Sequence, residues 1–308
     1  MKKKFRYFKI ISILIATLLI SLSCVKVNAL TLKEPTEPPS PSANLRLVFD
    51  NENISSLPEK FRKTSDLSKI CNNKNFSTTG LEKLNISGSQ QFSRCNFPIL
   101  INALDTNLPI IIYDLRQESH GFINDFPISY EGEKNTANKG LTDAEVLEIE
   151  KKLLDSIKLN TPITISNAHE KSIIPESVMD EHTLVNEHNL NYVRIFATDE
   201  ELPSNAVIDS FVKNINEISQ ESWLHFHCKE GIGRTTTFMI FYDMMKNYKN
   251  VSAKDIILRQ LAIADFNEND INLLVSEKRI ALYDNFYNYC KKFGDDFKTP
   301  FSQYNENK

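Results

Sequence analysis

One stretch of the chain gathers residue types that can do covalent chemistry: His227-Cys228-Lys229-Glu230-Gly231-Ile232-Gly233-Arg234-Thr235-Thr236. A cysteine stands six positions before an arginine, with two glycines among the five residues between them. Glycine tolerates the positive φ that a tight curl needs, so successive backbone N–H groups can turn inward as a nest for an anion. A helix starting near Arg234 adds unpaired N–H donors and the positive end of its dipole. Arg234 offers two parallel donors to two phosphate oxygens, a geometry lysine cannot match. These residues fit a phosphate dianion, with the backbone of Lys229, Glu230, Gly231, Ile232 and Gly233 as its cradle.

The same field favours the sulfur anion of Cys228, a nucleophile already aimed at phosphorus. Attack would give a cysteinyl-phosphate, with transition-state charge on three equatorial oxygens held by the N–H ring and Arg234. Thr235 is placed to donate its hydroxyl to the sulfur and help it leave in the second step. Taken alone, Cys228 reads as a buried structural cysteine at a strand end. His227, the glycines, Arg234 and Thr235 at these spacings argue against that. A leaving alkoxide needs a proton, and Asp199, 29 residues before Cys228 in the run Thr198-Asp199-Glu200-Glu201-Leu202-Pro203, is the candidate general acid. Its competing role is N-terminal cap of a helix over 206–218. The six histidines include no pair at metal-ligand spacing with a helical partner, and nothing in the motif requires a metal or a cofactor.

The elements that must hold this loop alternate between apolar strands and amphipathic helices. Strands are expected over 109–113, 163–165, 192–196 and 223–226. Helices are expected over 206–218, over 235–248, and behind the capping box Thr142-Asp143-Ala144-Glu145, where Val146, Ile149, Leu153, Leu154 and Ile157 recur at helical spacing. Strand and helix in alternation predict an α/β fold with a mainly parallel central sheet flanked by helices. The catalytic segment then falls between a strand and a helix.

The chain opens with six positive residues and no acid in its first 29 positions, around an uncharged run from Ile10 to Val25. Charged head, short apolar middle and the small-residue exit Val27-Asn28-Ala29 read as a secretory signal peptide cut after Ala29, the run being shorter than the roughly 20 residues of a membrane-spanning helix. A retained anchor and a lipoprotein cut before Cys24 are the alternatives. Residues 30–44 are proline-rich and read as an extended linker, leaving 45–308 as the catalytic domain. Removing residues 1–29 changes the net charge from −4 to −10, with 30 basic residues against 40 acidic. That balance disfavours nucleic acid, and no stable membrane partner is expected. The protein is expected outside the cytoplasm, released or held at a bacterial cell surface. There, a Cys71–Cys95 disulfide is one conceivable pairing. Oligomeric state is not legible.

The Cys-x5-Arg-Thr loop resembles that of cysteine-dependent phosphatases. Trp223 to Cys228 with Gly231 to Thr236 is more narrowly similar to the bacterial protein-tyrosine-phosphatase-like inositol polyphosphatases, the cysteine phytases. The likeness extends to Leu84–Ser93, Asp114–Gly121, Arg194–Asp199, Phe286–Tyr289 and Thr299–Ser302, and covers roughly residues 57–304. It implies a tyrosine-phosphatase-like core with a small β-rich subdomain built from segments before the catalytic loop. It also implies phosphate removal from a highly phosphorylated inositol such as phytate, without metal. The implied roles are Cys228 nucleophile, Arg234 transition-state clamp and Asp199 general acid. Candidates for the outer substrate pocket are Arg62, Arg116, Lys278 and His120, and Glu118 is a candidate partner that orients Arg234. Three departures stand out: the family's acid and alanine after the cysteine are Lys229 and Glu230 here, and its histidine after the general acid is Glu200, a change that, with the next, touches the substrate's periphery. The family's glycine pair after a glutamine-bearing helix is also replaced, by Ala264-Asp265. Lys229 suits a polyanionic ring as a second cation, unless its side chain points to solvent. The competing functions are a protein tyrosine phosphatase, a phosphoinositide phosphatase, and a phosphate-binding module without turnover.

Overall fold

Two segments buried along their whole length, Ile86–Gln90 and Trp223–Cys228, and a third buried except at Ile111, Ile110–Asp114, form the centre of the fold in a computed structural model that describes residues 45–70, 75–132, 136–166 and 171–306. In chain order the first elements are β1 (Arg46–Phe49), β2 (Arg62–Lys63), β3 (Ile86–Gln90), α1 (Phe97–Leu104), β4 (Ile110–Asp114), β5 (His120–Ile123) and β6 (Phe126–Glu131). Then come α2 (Asp143–Asp155), β7 (Ile163–Ile165), β8 (Lys171–Ile173), β9 (Val178–Met179), α3 (Glu181–Glu187) and β10 (Asn191–Arg194). The chain continues with α4 (Asn205–Asn216), β11 (Trp223–Cys228), α5 (Gly233–Asn247), α6 (Ala253–Ala264), α7 (Glu268–Leu274), α8 (Glu277–Phe293) and α9 (Phe301–Glu306).

The central sheet runs β10-β4-β11-β3-β2, parallel throughout except for the antiparallel edge pair β2–β3. Parallel sheets survive where both faces are covered. On one face Leu224, Phe226 and Cys228 join the main core with Phe238, Phe241 and Tyr283. On the other, Trp223, Ile110 and Ile112 pack with Phe92, Phe97 and Leu184. The period-2 alternation of β11 therefore sends Cys228 and His227 to opposite faces.

Helix α5 explains why the core sits where it does. Nearly every residue from Arg234 to Asn247 is buried, with Arg234 and Asp243 held in buried ion pairs, so the helix is central. It approaches β3 at Gly88, where an added Cβ would lie 2.6 Å from Met239 Sδ and 2.8 Å from Thr235 Cγ2. Only glycine leaves room for that contact, which draws Thr235 against β3, the neighbour of the strand that carries the loop.

A second, antiparallel sheet, β1-β6-β5-β9, is the small β-rich part. Its own core holds Phe49, Ile123, Ile128, Tyr130 and Leu154. The 163–165 strand forms, but pairs antiparallel with β8 in a two-stranded ribbon outside the parallel sheet. Its middle residue, Thr164, is exposed between two inward isoleucines, the alternation of a half-covered strand rather than one buried on both faces. The capping box holds: Thr142 Oγ1 accepts from Glu145 N at 3.3 Å and Glu145 Oε2 from Thr142 N at 2.7 Å. The expected 192–196 strand stops at Arg194, because Ala197 N turns back to Ile195 O. The helix expected from 235 begins at Gly233, and the one expected over 206–218 spans Asn205–Asn216. No helix among the described residues is long and apolar enough to cross a membrane. The signal-peptide and linker segments, and Cys71, lie outside the described residues; Cys95 is exposed.

Candidate active site

Strand β11 ends at Cys228 and α5 starts at Gly233, so the loop between them has four residues in which to reverse. Gly231 takes φ +71°, and an added Cβ would stand 2.3 Å from Gln90 N and 2.5 Å from Ser89 C. The curl is pinned from below: Gln91 N donates to Lys229 O at 3.2 Å, and Arg62 Nη1 donates to Gly231 O at 3.1 Å. With those carbonyls turned outward, the remaining amides are free to face the inside of the curl. Cys228 is buried, and Thr235 Oγ1 donates to its sulfur at 3.2 Å.

Arg234, in the first turn of α5, is held by a two-point pair: Nη1 to Glu118 Oε2 at 2.6 Å and Nη2 to Glu118 Oε1 at 2.9 Å. Nη1 also donates to Ala197 O at 3.2 Å. Burial disfavours its charge, but Glu118 outweighs that and holds the guanidinium above its ordinary value, cationic at any working pH. Its Nε is buried with no hydrogen-bond partner among the described residues. Asp199 Oδ1 lies 2.9 Å from Arg234 Nη2, with its side chain 26% exposed at the rim. Asp199 caps no helix, since Ser204 takes that place on α4. Thr198 Oγ1 donates to Gln117 Oε1 at 2.8 Å, tying the Asp199 loop to the turn that carries Glu118.

That turn is itself over-determined. Asp114 Oδ1 accepts from Arg116 N at 2.9 Å, and Arg194 donates from Nε to Arg116 O at 2.8 Å and from Nη2 to Glu118 O at 3.0 Å. Charges then alternate around the cradle: Glu131, Lys229, Asp50, Arg116, Glu118, Arg234 and Asp199, each within ion-pair distance of the next. Both ends of the motif, Lys229 and Arg234, are wired through Asp50 and Glu118.

Several outer-pocket expectations need correcting. Arg116 is fully buried, spending its donors on Asp50 at 2.8 Å, Glu118 at 2.8 Å, Gln91 at 2.6 Å and Ser129 at 2.6 Å. It braces Glu118 and cannot reach a substrate. His120 is equally buried, with Nε2 3.3 Å from Asp114 and 3.4 Å from Glu181. Arg62 lies beneath the loop, with Nη2 donating to Thr236 Oγ1 at 2.9 Å; burial lowers it to about 10. Lys229 points neither into the pocket nor into solvent: its ammonium is fastened to Glu131, with Asp50 Oδ1 at 3.7 Å. Lys278 is exposed in the first turn of α8, while its neighbour Arg279 is buried, with Nη1 donating to Thr237 Oγ1 at 3.0 Å. Arg279 Nη2 lies 3.6 Å from where a Cβ of Gly233 would stand, so the cation beside the cradle is Arg279.

His227 faces away from Cys228, with Nε2 2.7 Å from Glu181 Oε1. Glu181 Oε2 accepts from Gln91 Nε2 at 2.8 Å. Asp114, His120 and Glu181 stand within 4.8 Å of one another, a spacing that could suit a metal. Arg194 Nε at 3.1 Å and the Tyr192 hydroxyl at 2.7 Å already engage Asp114, so the cluster is an internal ion network. Burial and Arg116 push His120 down, but Asp114 and Glu150 overcome them and raise it from 6.5 to about 10. A raised folded value stabilises fully below 6.5 and fades as pH climbs through about 10. The melting temperature of the wild type should therefore fall across that alkaline window, and a His120→Gln variant should show a flatter profile there.

Residues 113–246 match the protein-tyrosine-phosphatase-like phytase family, described as inositol hexakisphosphate. The PTP-like phytase of Bdellovibrio bacteriovorus shares 29% identity and a TM-score of 0.70, over 87% of this chain and 97% of that one. The chain is therefore similar to protein-tyrosine-phosphatase-like phytases over most of its described length. The PTP-like myo-inositol phosphatase of Mitsuokella multacida, solved with myo-inositol-(1,3,4,5)-tetrakisphosphate, is 31% identical with a TM-score of 0.76, over 85% of this chain and 49% of that one. Effector protein hopD2 of Pseudomonas syringae pv. tomato is 32% identical over 73% of this chain and 50% of its own length. The phytase-like chain thus spans about half the length of these two relatives. Sequence reading of its site missed Asp50, Glu131, Glu181, Arg194 and Arg279, whose partners are dozens to more than a hundred residues away in the chain.

Proposed function

We propose that the protein is a phosphomonoesterase that removes phosphates from myo-inositol polyphosphates such as phytate through a cysteinyl-phosphate, with no metal or cofactor. The observation that supports this reading most is the convergence of Cys228, Thr235, Arg234 and Asp199 on one curled loop. A binding module would need neither a nucleophile nor an acid. The substrate reading leans on the likeness to protein-tyrosine-phosphatase-like phytases, one of them solved with myo-inositol-(1,3,4,5)-tetrakisphosphate.

In the first step a substrate phosphate enters the cradle and takes over Arg234 Nε and Nη2, releasing Asp199 from the guanidinium. Asp199, once off the guanidinium, takes up a proton from solvent; Cys228 Sγ then attacks phosphorus, the S–P bond forms, the ester P–O bond breaks, and Asp199 delivers that proton to the leaving alkoxide. Glu118 keeps Arg234 oriented while charge builds on the equatorial oxygens. In the second step water attacks phosphorus and gives up a proton to Asp199, the S–P bond breaks with its electrons returning to sulfur, inorganic phosphate leaves, and the Thr235 hydroxyl stabilises the sulfur anion by donating to it. Export by the amino-terminal segment completes the proposal and places the enzyme outside the cytoplasm or at the cell surface.

The test compares phytate, a phosphoinositide, phosphotyrosyl peptide and p-nitrophenyl phosphate in chelator-treated enzyme. Phytate turnover that survives chelation supports the proposal; turnover of phosphotyrosyl peptide alone favours the tyrosine-phosphatase alternative. Asp199→Asn should cut kcat by about 10²-fold on phytate, whose alkoxide needs the proton. On p-nitrophenyl phosphate, whose leaving group needs little help, the loss should be much smaller.

A further inference from the structure

From the Lys229–Glu131 pair we infer that Glu131 is a specificity-determining residue: it occupies the ammonium next to the nucleophile and competes with any second phosphate of the substrate. The inference rests on the phosphatase reading above and concerns which phosphate esters that site accepts.

Lys229 follows Cys228 directly, and its backbone is part of the cradle. Its side chain is 13% exposed, at the seam where the catalytic loop meets the antiparallel sheet. Glu131, the last residue of β6, is 21% exposed and fastened to that ammonium. Behind them Asp50 is fully buried, already shared between Arg116 and Ser129, and stands 3.7 Å from Lys229. Burial alone would lower Lys229, but Asp50 and Glu131 more than offset that and raise it, so the ammonium is charged and doubly countered. Glu230, the next loop residue, has its carboxyl pushed up by burial.

The two carboxylates are not equivalent. Asp50 belongs to the Arg116–Glu118–Arg234 chain and cannot let go without exposing buried charge. Glu131 is at the solvent edge, and its other contact, Arg46 Nη2 at 3.8 Å, is long and exposed. Glu131 is thus the partner that can yield. A monoester with a single phosphate fills the cradle and leaves the clasp untouched. A polyphosphorylated ring brings a further dianion toward the rim, and to gain Lys229 it must displace the Glu131 carboxylate. The clasp taxes polyanions selectively.

Glu131→Gln keeps the shape and removes the competing charge. KM for phytate should drop about fivefold relative to wild type, the size of one partly exposed ion pair. KM for p-nitrophenyl phosphate should move far less, so that the ratio of the two KM values changes about fivefold. Lys229→Met placed on the Glu131→Gln background should abolish the gain, because the cation that was freed is gone. If Glu131→Gln leaves the ratio of the two KM values at the wild-type level, or lowers both equally, the inference is overturned. A wild type that turns over p-nitrophenyl phosphate but no inositol phosphate would instead overturn the substrate reading on which it rests. Glu131→Gln should melt within a few degrees of wild type, since the pair is at the edge; a large drop would mark it as structural and also overturn the inference.

Discussion

Cys228→Ser should lower turnover of every phosphate ester by about 10⁴-fold or more while leaving the melting temperature and phosphate binding nearly intact. The size follows from what is removed. Serine fits the same volume beside Thr235, so the cradle, Arg234 and Asp199 stay as they are. What disappears is the sulfur nucleophile at the floor of the amide ring. A serine hydroxyl has no base beside it: Thr235 donates to this atom, and His227 is on the opposite face of the strand. The variant should therefore bind phytate and hold it, and kcat should collapse with KM near the wild-type value.

Arg234→Lys should reduce kcat by about 10²- to 10³-fold. It should also cost about 2 kcal/mol of stability. Two-point contact with Glu118 at 2.6 and 2.9 Å fixes the guanidinium plane, leaving Nε and one face for the transferring phosphoryl group. An ammonium keeps the charge but satisfies one oxygen at a time. Glu118 is buried, and its carboxyl is held well below the usual range by Arg234 and Arg116 against the penalty of burial. Loss of the fork leaves part of that carboxylate facing only Arg116. Thermal melts and steady-state kinetics on the same preparation separate the two effects, and a loss of stability without loss of kcat would make Arg234 structural.

The chemistry was far more legible in the sequence than its support. Cys228, Arg234 and Thr235 are close in the chain, and a local motif fixes their geometry through glycine at 231 and the start of a helix. The parallel sheet was legible as well, because the apolar run at 110–113 and the run Trp223-Leu224-His225-Phe226 announce strands of a sheet covered on both faces. Long-range charge pairing was not. Arg116 looked like a surface cation for a substrate, yet its partner Asp50 is 66 positions away, and no local pattern brings the two together. His120 was misplaced for the same reason, its neighbours Glu150 and Glu181 coming from two later helices. Lys229 was read as a second cation for the substrate, and its restraint by Glu131 depends on a contact across 98 residues. Glu118 was found because it shares a short run with Arg116, and the turn that aims it needs Arg194, which nothing in its own neighbourhood of the chain revealed.

The most direct measurement is mass spectrometry of enzyme quenched in acid within milliseconds of mixing with p-nitrophenyl phosphate, using Asp199→Asn to slow the hydrolytic step. A single phosphoryl group should be found on the peptide bearing Cys228, should decay as inorganic phosphate appears, and should be absent from Cys228→Ser. Full turnover with no such adduct, or with the phosphoryl group on any other residue, would mean that water attacks the ester directly or that another nucleophile does the work, and would contradict the central claim.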